Sequence, residues 1–235
     1  RGLPPEAFFR GLLGKKGSHS EGRQMSAHLS APNLHILSLV GPVGNHALQA
    51  AGVAAAIRQS PNNPICVCSM GDGTTQQGEV LEAISEAVRD NLPVLFLIHD
   101  NQYAISTRTM GRTFYSLPGG PAESFLGRPI HTLEGWNVLE CHDAFQKIVG
   151  NIRKTRAPQI VVLKTERLAN HTNADDQSIY RSEEEVASAK HRADPISKLR
   201  EHLLKSGKTE SELSQIDQEI HHSIAEIAER VLKEQ

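Results

Sequence analysis

Residues 65 to 107, ICVCSMGDGTTQQGEVLEAISEAVRDNLPVLFLIHDNQYAIST, constrain the fold more than any other stretch, because two short apolar runs flank one helical repeat. Ile65 to Met70 ends at Gly71-Asp72-Gly73 and reads as a buried strand that turns sharply at its carboxyl end. Val80, Leu81, Ile84, Ala87 and Val88 then recur at helical spacing, with Glu79, Glu82, Glu86 and Arg89 on other faces. Pro93 follows that helix, and Val94 to Ile98 forms a second apolar run closed by His99-Asp100-Asn101 and Tyr103. A strand, a helix and a strand in this order predict a βαβ unit with parallel strands. Both polar clusters then lie at strand carboxyl ends, the edge at which open α/β sheets bind ligands.

The remaining patterns extend this unit. Pro4-Pro5-Glu6 opens a short helix through Leu13, which Gly14 closes, and residues 14 to 35 read as a long loop. The small residues from Ala47 to Ile57 predict a closely packed core helix. Eight Gly and Pro residues between 108 and 135 predict a second long loop or broken connection. A helix over Asp143 to Arg156 and a strand over Ile160 to Leu163 give a further βαβ turn, and residues 167 to 182 read as a third loop at the same sheet edge. Three helices finish the chain; the last carries Leu213, Ile216, Ile220, Ile224, Ile227 and Val231 on one face, with capping-box spacing at Thr209 and Glu212. The expected fold is an α/β domain over residues 1–182, a parallel sheet flanked by helices, with a C-terminal helical extension over 183–235.

Bulk properties exclude several classes. With 25 basic and 27 acidic residues among 235 and a net charge of −2, no basic stripe for nucleic acid stands out. Cys66, Cys68 and Cys141 lack C-x-x-C spacing, which argues against a zinc site or a disulfide framework and fits a reducing compartment. No apolar run approaches the roughly 18 residues of a membrane span, and no signal peptide opens the chain. Arg1 is not expected to be the natural start.

Gly-Asp-Gly between a strand and a helix suits a carboxylate that holds a divalent metal bridging to phosphate, with the amides around Thr74 donating to phosphate oxygens. Magnesium prefers hard oxygen ligands and usually retains ligand phosphates among them. Asn101 can supply a side-chain oxygen and Tyr103 a backbone oxygen from the next strand end. A lone Gly-Asp-Gly equally reads as a turn. Neither Gly41/Gly44 nor Gly71/Gly73/Gly78 reproduces G-x-G-x-x-G, and Walker A and H-E-x-x-H patterns do not occur.

Asn101 follows Asp72 by 101 − 72 = 29 residues, and this spacing resembles the thiamine diphosphate motif. With Gly22-Arg23-Gln24-Met25 and His28, the tract from Gly41 to Gly52, Tyr103 to Thr107, His171 through Asp175-Asp176 to Tyr180-Arg181-Ser182, and Asp194-Pro195-Ile196, nearly the whole chain resembles the α subunit of thiamine diphosphate-dependent 2-oxoacid dehydrogenases, most closely the branched-chain (2-oxoisovalerate) type. The resemblance implies the thiamine diphosphate-binding fold and a site shared with a β subunit or fused β half, which supplies an activating Glu. It implies Mg2+ held by Asp72, Asn101 and the Tyr103 carbonyl, and diphosphate facing Gly73, Thr74 and Arg167. Gly41 and Val43 match backbone positions near the cofactor's middle and pyrimidine, and His171 matches an active-site His on the loop that closes over the cofactor. The implied activity is oxidative decarboxylation of a 2-oxoacid, branched-chain or pyruvate, with acyl transfer to a lipoyl-bearing dihydrolipoyl acyltransferase. The implied assembly is a heterotetramer in the bacterial cytoplasm or the mitochondrial matrix. An acetoin-type dehydrogenase and a noncatalytic interaction fragment are the alternatives. The family's upstream Tyr-Arg pair would precede residue 1, His99 stands where the branched-chain type has an Arg, and Val40, Asn45 and His46 replace its potassium site, so potassium is not carried over.

Overall fold

A computed structural model describes residues 1–25 and 28–234, which form two compact units, one of residues 1–25, 28–41 and 202–234 and the other of residues 42–201. The first unit opens with α1 (Pro5–Leu12), whose first turn takes a Pro where the amide needs no helical partner.

The second unit is the α/β body. Helix α2 (Asn45–Ile57) leads to β1 (Cys66–Gly71), a 3-10 turn (Gly73–Gln76), α3 (Gly78–Arg89) and β2 (Val94–Asp100). Two-residue ribbons follow at β3 (Tyr103–Ala104) with β4 (Thr107–Arg108), and at β5 (Ser116–Leu117) with β6 (Gly120–Pro121). The sheet is completed by β7 (Ser124–Phe125), β8 (Arg128–Glu134) and, after α4 (Val138–Thr155), β9 (Gln159–Lys164). Its order is β1-β2-β9-β8-β7, parallel except for the β7–β8 pair. The expected βαβ unit forms, with Cys66 opposite Val94 and Gly71 opposite His99.

Core packing follows from the small residues of α2. Ala47, Ala50, Ala51 and Ala54 lie one helical turn apart and are buried against Val80, Ala83, Ile84 and Ala87 of α3 and against Cys68, Met70, Phe96 and Ile98 of the sheet. Ile148 and Ile152 of α4 cover the opposite face at Leu95 and Val161. Fully burying an Ile such as Ile84 or Ile152 stabilises by about 1.5–3 kcal/mol.

Three expectations change. The stretch from 108 to 135 is not only a loop, because β8 pairs in parallel with β9 within it; Pro129, His131 and charged ends hide an alternating strand whose Ile130 and Leu133 reach the two cores. Strand β1 is half buried rather than buried. As an end strand it turns Cys68 and Met70 inward while Val67 remains 53% exposed. Helix α4 begins at Val138 instead of Asp143, its start capped by the Asn137 side chain, which accepts from the Glu140 amide at 3.4 Å.

Burial pushes the Cys66 thiol up to about 11 and the Cys68 thiol up to about 12. Both stay protonated in the fold well above the pH at which the unfolded chain ionises. Their contribution is therefore intact below about pH 8.5 and is lost as pH rises toward the folded values, by about 1.4 kcal/mol per pH unit for each thiol. Alkylation of the native chain at pH 8, followed by mass spectrometry, is expected to label Cys68 last, and unfolding is expected to abolish its protection.

Helices α5 (Glu183–Ala193), α6 (Pro195–Lys205) and α7 (Glu210–Lys233) follow, as the sequence predicts. In the first unit α7 packs on α1, with Leu213 and Val231 buried, and Arg10 grips Glu234 bidentately at 2.6 and 2.7 Å. That pair is partly exposed, so solvent screening keeps its contribution small. Thr209 and Glu212 form the expected capping box. Thr209→Ala is expected to lower stability by about 1 kcal/mol in urea unfolding.

Candidate functional site

The carboxyl ends of β1, β2 and β9 meet at one edge. The Asp72 amide donates to the His99 carbonyl at 3.1 Å, and the Thr165 amide donates to the Asp100 carbonyl at 2.8 Å. Asp72 begins the 3-10 turn, and its carbonyl accepts from the Thr75 amide at 3.1 Å and the Thr75 hydroxyl at 2.6 Å. Its carboxylate is 2% exposed and accepts from Thr109 Oγ1 at 2.5 Å through Oδ2, so the side chain is oriented while the carboxylate retains lone pairs for a cation. The first amides of the turn, at Gly73 and Thr74, are those that a helix start leaves without an internal partner.

Two successive Asx turns shape the end of β2. Asp100 Oδ1 accepts from the Gln102 amide and Asn101 Oδ1 from the Tyr103 amide, each at 2.9 Å, with Gln102 in the left-handed region at φ 65°. This turn abuts the first one closely: a Cβ on Gly73 would lie 2.6 Å from the Ala104 Cβ. Burial pushes the Asp100 carboxyl up, and the charge of Asp72 adds to that. The Tyr115 phenol, buried beside these carboxylates, is also pushed up by burial and by their charges.

The loop after β9 comes to the same edge. Arg167 donates to the Ile105 carbonyl at 2.7 Å and to the Tyr180 hydroxyl at 2.7 Å, while its buried Nε lacks a partner among the described residues. The Tyr180 hydroxyl in turn donates to Asp175 at 2.6 Å, and that bond with the one from the His171 amide holds the Asp175 carboxyl below the usual carboxylate range. His171 itself is exposed within the loop. His99, on β2, faces Ser69 Oγ at 2.9 Å, and burial pushes its imidazole down. Asp72, Gly73, Thr74, Asn101, Tyr103 and Arg167 are therefore brought together in the α/β body. Val43 belongs to that body too but is 57% exposed in the turn before α2, and Gly41 falls in the other compact unit.

Among the described residues no cluster of three or more His, Cys, Asp or Glu side chains is placed to hold a metal ion. A cation here would rely on one oriented carboxylate joined by amide and carbonyl oxygens, a hard-oxygen set that fits magnesium with phosphate oxygens completing the shell. Thr109 and Tyr115 escape sequence reading, since their relation to Asp72 depends on a chain reversal that no spacing rule encodes.

The model of the dehydrogenase E1 component family matches residues 1–235. The chain belongs to the dehydrogenase E1 component family. It is 32% identical over 230 residues to the pyruvate dehydrogenase E1 component subunit alpha of Rickettsia bellii, covering 97% of this chain and 69% of that protein. The corresponding subunit of Rhizobium meliloti is 31% identical, with 97% and 65% covered, and the human mitochondrial somatic form is 28% identical, with 97% and 58% covered. The chain spans about three fifths of the length of several of these relatives. Dehydrogenase E1 components are thiamine diphosphate-dependent, and membership bears out the resemblance to the α subunit of a 2-oxoacid dehydrogenase and its α/β fold. The branched-chain type gains no specific support from the relatives named above, which are pyruvate dehydrogenase subunits. Among the described residues no helix is long and apolar enough to cross a membrane.

Proposed function

We propose that the chain is the cofactor-gripping α part of a dehydrogenase that oxidatively decarboxylates a 2-oxoacid. The observation that carries this reading is the buried Asp72 carboxylate, oriented by Thr109 beside the Asn101–Tyr103 turn at the ends of two parallel strands. Asp72, the Asn101 side-chain oxygen and the Tyr103 carbonyl would hold Mg2+. The Gly73 and Thr74 amides and Arg167 would bind the diphosphate, with the unpartnered Arg167 Nε as the donor that awaits an anion. Val43 would contribute a backbone group toward the middle of the cofactor and its pyrimidine.

Thiamine diphosphate, when bound, supplies the carbon nucleophile that makes loss of carbon dioxide from a 2-oxoacid feasible. The protein's part is placement, exclusion of water and proton handling. His171, on the loop between β9 and α5, offers an imidazole that could relay a proton as the acyl group departs. A β subunit or fused β half would complete the site, and a lipoyl group on a dihydrolipoyl acyltransferase would receive the acyl group. The names of the relatives favour pyruvate over branched-chain 2-oxoacids. The assembled enzyme is expected to reduce an artificial electron acceptor with pyruvate and with magnesium present. No reduction with pyruvate or with any branched-chain 2-oxoacid would refute the assignment.

A further inference from the structure

The loop between β9 and α5 and the turn at the end of β2 are joined by one side chain that the functional reading has not used. Glu185, in the first turn of α5, accepts from the Tyr103 hydroxyl at 2.9 Å on Oε1 and 3.2 Å on Oε2, from Arg108 Nη2 at 2.9 Å and from Arg181 Nε at 2.9 Å. Tyr103 and Arg108 are cross-strand partners of the β3–β4 ribbon, so the carboxylate holds both of its strands. Arg181, whose side chain is 1% exposed, also donates to the Arg167 carbonyl at 2.6 Å and to Gln177 Oε1 at 2.9 Å. Its remaining acidic partner, Glu166, is 3.9 Å away.

We propose that Glu185 is a positioning residue that ties the closing loop to the metal-binding turn, so that magnesium and diphosphate binding and loop order rise and fall together. The inference rests on the assignment of Tyr103 and Arg167 to the cofactor site. Through the Tyr103 phenol, Glu185 sets the backbone whose carbonyl would hold the metal. Through Arg181 it sets the start of the loop at Arg167. Deleting the carboxylate leaves a buried guanidinium with one distant acid and frees both segments at once. Partners one step removed from a metal commonly carry a tenfold to hundredfold share of its affinity.

The test compares wild type, Glu185→Ala, Glu185→Gln and Tyr103→Phe in the natural chain assembled with its partner subunit. Two quantities are read: the Mg2+ concentration that half-saturates thiamine diphosphate binding, and tryptic cleavage within residues 167–182 with and without Mg2+ and cofactor. Glu185→Ala is expected to raise the Mg2+ requirement about tenfold or more and to abolish the protection that the cofactor confers on the loop. Glu185→Gln, which keeps the volume, is expected to fall between Ala and wild type, and Tyr103→Phe to raise the Mg2+ requirement in the same direction. If Glu185→Ala does not assemble, Glu185→Gln and Tyr103→Phe decide. Wild-type values in the Glu185 variants would overturn the proposal and leave the functional assignment intact. Cleavage that increases equally with and without cofactor, at an unchanged Mg2+ requirement, would reduce Glu185 to a structural residue and also overturn it. A wild type without magnesium-dependent cofactor binding would instead overturn the functional assignment, and this proposal with it.

Discussion

Asp72→Asn is expected to reduce magnesium-dependent thiamine diphosphate binding by the assembled enzyme by about a hundredfold or more. Asp72 supplies the single carboxylate in the proposed donor set, since Asn101 and the Tyr103 backbone offer neutral oxygens, so the substitution removes the one charged protein ligand of that set. The fold is expected to survive. The hydrogen bonds that shape the turn run to the Asp72 carbonyl from Thr75, and an amide oxygen in place of Oδ2 can still accept from Thr109. Thr109→Val separates charge from orientation, because it keeps the carboxylate and removes its donor. Its expected cost is about ten- to hundredfold in Mg2+ affinity. Isothermal titration of thiamine diphosphate at several Mg2+ concentrations reads both variants.

Gly73→Ala is expected to damage stability and cofactor binding together. A Cβ at this position would lie 2.6 Å from the Ala104 Cβ and 3.2 Å from its Cα, and because the second atom is backbone, no side-chain rotation relieves the contact. The turn after β1 and the β3–β4 ribbon must then separate, which costs about 1–3 kcal/mol and moves Asp72 away from Asn101 and Tyr103. Urea unfolding is expected to show the lowered midpoint, and the titration a weakened cofactor. Combining Gly73→Ala with Ala104→Gly removes the nearer contact and is expected to restore part of both losses. No restoration would place the close approach elsewhere.

The βαβ unit over residues 65–107 is legible in the sequence because a local period encodes each part: apolar runs of strand length, a helical repeat between them, and Gly or Asn where the chain turns. The placement of the residues proposed to hold the metal is legible for the same reason, since Asp72 and Asn101 fall at strand ends 29 positions apart, as 101 − 72 shows. Strand β8 is not legible. Its alternation is interrupted by Pro129 and His131, and it becomes a strand by pairing with β9, a partner that lies beyond α4. Thr109, Tyr115 and Glu185 are hidden for a related reason. Each gains its role from a contact 15 to 82 residues away along the chain, between Asp100 and Tyr115 at the near end and between Tyr103 and Glu185 at the far end, and side-chain type alone does not announce such a contact. The apolar stripe of α7 lies on one helical face, yet only its ends, Leu213 and Val231, are buried, while Ile216, Ile220 and Ile224 remain 40–56% exposed. Periodicity identifies a face; burial depends on what packs against it.

The proposed clamp of Asp72, Asn101 and the Tyr103 carbonyl is tested most directly with Mn2+ in place of Mg2+, because bound Mn2+ is read by electron paramagnetic resonance independently of turnover. In the natural chain assembled with its partner subunit, Mn2+ binding is expected to tighten on addition of thiamine diphosphate, with one metal per cofactor, and the tightening is expected to vanish in Asp72→Asn. Equal Mn2+ binding with and without the cofactor, or an unchanged response in Asp72→Asn, would contradict the account.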